Sequence, residues 1–304
     1  VSHDRIIALT LHPSRPQAFD SAVEFVSGLA ETPIRCVVAH EHLAAFRELL
    51  PDADLGPLDD MDGAELMVAF GGDGTILRAA EWAVPRGIPI LGVNLGHVGF
   101  LAELEASQIP SLISCVVNKS YRVERRLTID ITVRDEPGGT PVWSSFAINE
   151  VSFEKQSRER MIDILVDVDG HPLSRWWADG VLVSTPSGST AYAFSAMGPV
   201  VWPDVFALLL VPLSAHALFA RPMVLSPLST VRIQLLEHYD SAGVVWCDGR
   251  RTFDIAAGME IEATQGAHPL LLARTSEQPF TTRLVRKFAL PVDGWRSKGQ
   301  RRAH

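Results

Sequence analysis

The sequence predicts an α/β amino-terminal domain built on a parallel sheet, a β-rich, sandwich-like domain after it, and a helical tail returning to the first domain. Three observations predict this. In the first third, unbroken apolar runs alternate with amphipathic helical segments, as in a parallel sheet covered on both faces. From about residue 122, apolar positions recur every second residue, the mark of strands with one buried face. Residues 279–288 read as helix again. The expected division is 1–121, completed by 276–304, and 122–275.

In order, RIIALTL (5–11) reads as a short buried strand. QAFDSAVEFVSGLAE (17–31) carries Phe19, Val23, Val26 and Leu29 at helical spacing. PIRCVVA (33–39) is strand-like, HEHLAAFRELL (40–50) helical, and DLGPLDDMDGAE (54–65) acidic and turn-rich. ELMVAF (65–70) is a continuous apolar run ending on Gly71 and Gly72; a helix at 75–84 and a buried strand at 88–94 follow. This order sets the glycine turn at the carboxyl end of a strand, where open α/β sheets bind ligands. In the second part, RLTIDITV (126–133) sets Leu127, Ile129, Ile131 and Val133 against Thr128, Asp130 and Thr132. MIDILVDVDG (161–170) repeats the pattern, and 145–155, 230–236, 243–247 and 259–264 are strand-like.

A chain of 304 residues has the length of about two domains and can bury a core without disulfides or metals. A net charge of −9 gives no global basic field, which argues against a nucleic-acid partner. Cys36, Cys115 and Cys247 are widely spaced and form no CxxC pair; they are expected as buried thiols in a reducing cytoplasm. No signal-peptide pattern is visible. The most apolar region, 205–220, is broken by Pro212, Ser214 and His216 and is too short to span a bilayer. The expectation is a soluble cytoplasmic protein with no membrane partner.

The chemistry concentrates in AFGGDGTILRAA (69–80). Gly71, Gly72 and Gly74 allow close backbone approach, and Thr75 opens a helix whose N–H groups face a ligand. Such turns hold phosphates, yet Asp73 puts a carboxylate there. The turn lacks the Gly-Lys-Ser/Thr of a P-loop and the GxGxxG of a dinucleotide fold. A carboxylate beside a bound phosphate can take a proton from an attacking hydroxyl or bind a nucleotide's magnesium. The simpler reading makes Asp73 a helix cap. No Ser-His-Asp arrangement supports a hydrolase, and His97 and His216 read as structural.

FGGDGTILRAA resembles the nucleotide-phosphate loop shared by NAD kinases, diacylglycerol and sphingosine kinases and, more loosely, phosphofructokinases. The rest of the chain chooses among them. GVNLGHVGFLAEL (92–104), AINEVSF (147–153) and DGVLVSTPSGSTAYAFSAMGPVV (179–201) resemble NAD kinase segments in the same order. PFTTRLVRKFALPVDGW (279–295) resembles the tail of actinobacterial members. The likeness runs from about residue 64 to 295.

The resemblance implies transfer of a phosphoryl group from Mg-ATP to the 2′-hydroxyl of the adenosine ribose of NAD, giving NADP. The enzyme would be a phosphotransferase with an alcohol acceptor, with inorganic polyphosphate as a second donor in actinobacterial members. Asp73 would be the general base, and Gly71, Gly72, Gly74 and Thr75 the phosphate loop. Gly74 would approach the dinucleotide and Phe100 would lie against an adenine. Asn149 and Glu150 would hold a ribose. Asp179, Thr190, Ala191, Tyr192, Ala193, Phe194 and Ser195 would hold the rest of the dinucleotide, with Arg78, Arg160 and Arg250 as further contacts. The divalent cation would come with ATP, with no fixed protein metal site and no tightly bound organic cofactor. A homodimer or homotetramer is implied.

Each residue has a simpler use: Phe100 and Tyr192 as core, Asn149-Glu150 as a strand-end turn, STPSGSTAY as a hydroxyl-rich turn. The sequence departs from the family at SRWWADG (174–180), where Trp176, Trp177 and Ala178 precede Asp179 and many relatives carry Gly. Two rivals share the motif. A diacylglycerol-type lipid kinase would need a membrane-facing segment, which the sequence does not display. A catalytically silent NADP(H)-binding protein would not need Asp73.

Overall fold

Unbroken apolar runs become the inner strands of a mostly parallel sheet, since only a strand covered on both faces buries every side chain. The computed structural model describes residues 5–58, 63–96, 99–158, 160–236, 242–276 and 278–291. The chain divides into two units, Val1–Arg125 with Leu271–His304, and Arg126–Leu270.

The first unit contains β1 (Arg5–Leu11), α1 (Pro16–Leu29), β2 (Ile34–Val38), α2 (His40–Leu49), β3 (Leu55–Pro57), β4 (Leu66–Phe70), α3 (Asp73–Ala83), β5 (Ile90–Asn94), β6 (Leu104–Glu105), α4 (Ile109–Val117) and β7 (Arg122–Arg126). The carboxyl-terminal strand Leu270–Arg274 and helix Phe280–Phe288 complete it. The sheet runs β3-β2-β1-β4-β5, then Leu270–Arg274, then β7. Its pairings from β3 to Leu270–Arg274 are parallel. All five residues of β4 are buried. α1 has Pro at its start, where a missing N–H costs nothing, and buries Ala18, Ala22, Phe25, Val26 and Leu29.

The strand order has one consequence for chemistry. The chain leaves β1 through α1 toward β2 and leaves β4 through α3 toward β5, on opposite sides. The crevice between the carboxyl ends of β1 and β4 is therefore the topological switch point, where such sheets bind ligands. The glycine turn 71–74 sits there.

The second unit holds two six-stranded antiparallel sheets among the described residues. In chain order its strands are β8 (Ile129–Arg134), β9 (Pro141–Ala147), β10 (Glu150–Lys155), β11 (Ile162–Val168), β12 (His171–Ala178), β13 (Gly180–Ser184), β14 (Leu208–Leu213), β15 (Met223–Leu225), β16 (Val231–Leu235), β17 (Ala242–Cys247), β18 (Arg251–Ala256) and β19 (Glu260–Gln265). One sheet is ordered β15-β14-β13-β10-β17-β18, the other β12-β11-β16-β19-β8-β9. Alternate residues of both, among them Ile131, Phe153, Ile164, Trp176, Val183 and Val245, form one shared core, as in a sandwich.

Four details differ from the sequence expectations. α3 begins at Asp73 rather than Thr75, because Gly72 takes the N-cap position. The acidic stretch 54–65 contains β3 as an edge strand; 59–62 lie outside the described residues. The apolar stretch 145–155 is two strands, broken at Ile148 and Asn149, where the chain passes from one sheet to the other. The strands Arg122–Arg126 and Leu270–Arg274 pair in the first sheet, because a period of two identifies a strand but not its sheet.

Trp176 and Trp177 take opposite faces of β12, as successive strand residues must: Trp176 is buried in the core and Trp177 is half exposed. His216 donates its backbone N–H to the carbonyl of Trp177, and His97 lies outside the described residues. All three cysteines are free and buried.

Candidate active site

In the first unit, Gly71 donates its N–H to the carbonyl of Val93, and a Cβ there would lie 2.1 Å from Thr75 Oγ1. Gly71 is thus required by the buried Thr75 beneath it, whereas Cβ atoms on Gly72 or Gly74 would meet only open space. The helix-cap reading of Asp73 does not hold, since Gly72 is the N-cap and no side chain caps α3. The Asp73 carboxylate reaches across to the loop after β5 instead. Oδ2 accepts the N–H of Phe100 at 2.9 Å; Oδ1 accepts those of Leu101 at 3.0 Å and Ala102 at 3.4 Å. Gly99 permits this, because a Cβ there would stand 2.3 Å from Oδ1. Three of about four carboxylate lone-pair sites are then used, which fixes the group's orientation and leaves acceptor capacity for one further donor.

The exposed Arg78 projects from α3 on the same side as the loop after β1. The His12 imidazole is held below its ordinary pKa by burial and by the charges of Arg15 and Arg78. Arg15 and Arg78 thus both bring positive charge near His12, and a phosphate suits positive charge at helix amino termini. The Phe100 ring packs on Phe280 and Phe288 of the carboxyl-terminal helix, with centroids 5.7 and 6.0 Å away. Behind this loop lies a buried ionic cluster that sequence reading missed: Glu103 with Arg274, Arg283 and Ser276.

In the second unit, the corner at Ile148–Asn149 is held from both sides. Asp248 accepts the N–H groups of Ile148 and Asn149 and pairs with Arg251. The Asn149 carbonyl accepts from Ser184 Oγ and the Thr185 N–H, and Thr185 Oγ1 donates to the Ile148 carbonyl. Gly188 is needed for close approach, since a Cβ there would lie 2.1 Å from the Asn149 carbonyl oxygen. This packs the hydroxyl-rich 184–190 turn directly on the Asn149-Glu150 pair. Glu150 is buried, and its Oε2 has no hydrogen-bond partner among the described residues. Burial first, and the nearby Asp248 second, push its pKa up to about 8 against the opposing Tyr192 N–H. At neutral pH it is therefore largely a protonated acid able to donate as well as accept.

Tyr192 reaches Glu154 through its hydroxyl at 3.4 Å, and Asp179 pairs with Lys155. Thr190 and Ala191 lead into the short helix Tyr192–Ser195, in which Ala193 is buried and Phe194 half exposed. The structure thus brings Asn149, Glu150 and Tyr192 together and sets Asp179 beside Lys155. Arg250 is exposed in the turn that carries Asp248; Arg160 is exposed. Asp248 was not legible in advance, because its task is to hold backbone N–H groups about 100 residues away. Among the described residues no three His, Cys, Asp or Glu side chains converge as a metal site.

Comparison with known proteins gives the family. Residues 56–121 match the ATP-NAD kinase N-terminal domain and 148–275 the ATP-NAD kinase C-terminal domain. An NAD kinase of Cutibacterium acnes is 51% identical over 100% of this chain and 95% of its own length. One from Mycobacterium tuberculosis is 48% identical over 97% of this chain and 99% of its own. The fold is that of yeast NADH kinase, solved with NADH, at a TM-score of 0.83 and 23% identity, covering 95% of this chain and 89% of that one. On full-length identity with these enzymes and on both domain matches, the chain belongs to the ATP-NAD kinase family.

Proposed function

We propose that this chain transfers the terminal phosphoryl group of Mg-ATP to the 2′-hydroxyl of the adenosine ribose of NAD, giving NADP and ADP. The observation that carries the mechanism is the Asp73 carboxylate, fixed by three loop amides at the switch point of the sheet with acceptor capacity to spare. Asp73 takes the proton of the 2′-hydroxyl as that oxygen bonds to the terminal phosphorus. The bond from phosphorus to the bridging oxygen breaks, and ADP leaves with the electron pair. The amino terminus of α3 and the charges of Arg15 and Arg78 stabilise the transferring charge, whereas Thr75 is buried beneath Gly71 and shapes the turn from below. The divalent cation belongs to the Mg-ATP substrate.

In this reading Asn149 and the protonated Glu150 hold a ribose. Gly74, Asp179, Thr190, Ala191, Tyr192, Phe194 and Ser195 contact the dinucleotide, with Arg78, Arg160 and Arg250 as outer contacts, whereas Ala193 is fully buried against Leu182 and Leu209 and packs the helix instead of touching a ligand. Phe100 offers an adenine the part of its ring not covered by Phe280 and Phe288. Exposed Trp202, Val205, Phe206 and Phe219 on the second unit support a homodimer or homotetramer. Three buried free thiols fit the cytoplasm; no helix among the described residues is long and apolar enough to cross a membrane.

The test is NADP formation from NAD with Mg-ATP, and separately with polyphosphate, in wild type and Asp73→Asn. A general base contributes about 10²–10⁴-fold, so a loss in that range supports the reading. Unchanged turnover in the variant removes Asp73 from the chemistry. NAD binding without turnover on either donor returns the chain to a silent dinucleotide-binding role.

A further inference from the structure

The loop that holds Asp73 is itself held from behind by two buried arginines. Arg283 donates through Nη1 to the carbonyls of Phe100 at 3.0 Å and Ala102 at 2.9 Å. Arg274 donates through Nη1 to the carbonyl of Leu101 at 2.9 Å. Both arginines share Glu103 Oε2, at 2.5 Å from Arg283 and 3.1 Å from Arg274, while Ser276 caps Oε1 through its N–H and hydroxyl. Arg274 also pairs with Glu124. The Glu103 side chain is fully buried, and those of Arg274 and Arg283 are 3% and 8% exposed.

A trans peptide points its C=O and N–H in opposite directions. The Phe100 carbonyl belongs to the same peptide unit as the Leu101 N–H, and the Leu101 carbonyl to that of the Ala102 N–H. Each unit therefore has a guanidinium at its oxygen and the Asp73 carboxylate at its nitrogen. Two peptide dipoles are clamped end to end between a buried cation and the carboxylate. Hydrogen bonds in series polarise one another, so the cation makes each N–H a stronger donor and fixes where it points. Glu103, held well below its ordinary pKa by the two arginines and Ser276 despite its burial, keeps the cluster charged and in place.

We infer that Arg283 and Arg274, brought in by the carboxyl-terminal strand and helix and anchored on Glu103, are positioning residues for phosphoryl transfer. They set the Phe100–Ala102 amides that aim the Asp73 carboxylate at the acceptor hydroxyl. The inference rests on Asp73 acting as the base. It gives the carboxyl-terminal helix a task in the reaction although its arginine touches neither substrate nor Asp73.

The experiment measures kcat and both KM values in Arg283→Gln, Arg283→Lys, Asp73→Asn and the double variant Asp73→Asn/Arg283→Gln, with thermal melts to confirm folding. Arg283→Gln is expected to lower kcat about tenfold to a hundredfold, as misplacing a reacting group does, with both KM values nearly unchanged. Arg283→Lys, which keeps a cationic donor, is expected to recover most of the loss. Without the Asp73 carboxylate, adding Arg283→Gln is expected to cost nothing more. Because Arg283→Gln leaves a buried carboxylate short of a partner, Glu103→Gln/Arg283→Gln serves as a second, neutral pair and is expected to show the same loss of kcat. An unchanged or increased kcat in Arg283→Gln or the neutral pair, a loss that falls on KM, or an equal loss with and without Asp73 overturns the inference. Full turnover in Asp73→Asn instead overturns the reading on which it rests.

Discussion

Replacing Gly99 by alanine tests the Asp73 arrangement without touching a titratable group. The added methyl would lie 2.3 Å from Asp73 Oδ1 and 2.8 Å from its Cγ, where ordinary contact begins near 3.4 Å. Relief requires a displacement of about 1 Å, by the difference of those distances. Gly99 adjoins the amides that bind the carboxylate, so the movement must open the bonds at 2.9 and 3.0 Å from Phe100 and Leu101. A misplacement of about 1 Å at a reacting group costs on the order of 10²-fold. Kcat of Gly99→Ala is therefore expected to fall about 10²-fold. The freed carboxylate can turn toward water, so the stability cost is that of ordinary overpacking, about 1–3 kcal/mol. Initial rates of NADP formation at saturating NAD and Mg-ATP, with a thermal melt, read both quantities. A folded Gly99→Ala protein with kcat within threefold of wild type would refute the argument. A selective rise in KM would show that Gly99 faces substrate rather than Asp73.

Gly188→Ala is expected to act on binding instead, because its methyl would lie 2.1 Å from the Asn149 carbonyl oxygen and push the Asn149-Glu150 corner away; a KM for NAD raised tenfold or more, by steady-state kinetics, is the expected outcome. Glu150 makes stability pH-dependent: with its pKa raised from 4.5 to about 8, the folded state holds a proton that the unfolded state releases. Its contribution is full below about pH 4.5 and lost as pH rises through about 8, so Glu150→Gln should flatten that part of a melting-temperature profile. Trp176→Ala, at a fully buried side chain of the sandwich core, is expected to cost about 3–5 kcal/mol in denaturant unfolding.

The residues themselves determined the architecture class and the location of the chemistry. Continuous apolar runs such as Leu66–Phe70 can bury every side chain only in a strand covered on both faces, and the alternation at 126–133 fits only a strand with one dry face. Gly71–Thr75 marked a strand-to-helix turn with a carboxylate because local backbone demands are written in adjacent residues. Periodicity carries no record of which polar groups meet across the chain, and there the tertiary structure decided. Asp73 could be read as a cap until the loop 27–29 residues later supplied its donors. Asp248 finds Ile148 and Asn149, and Arg283 finds Glu103 across 180 residues, only because the sheets bring those segments together. An arginine such as Arg283 on the amphipathic helix Phe280–Phe288 reads as a solvated charge; its burial against Glu103 and two loop carbonyls is a property of packing, since a buried guanidinium is tolerated only where carboxylate and carbonyl oxygens already converge.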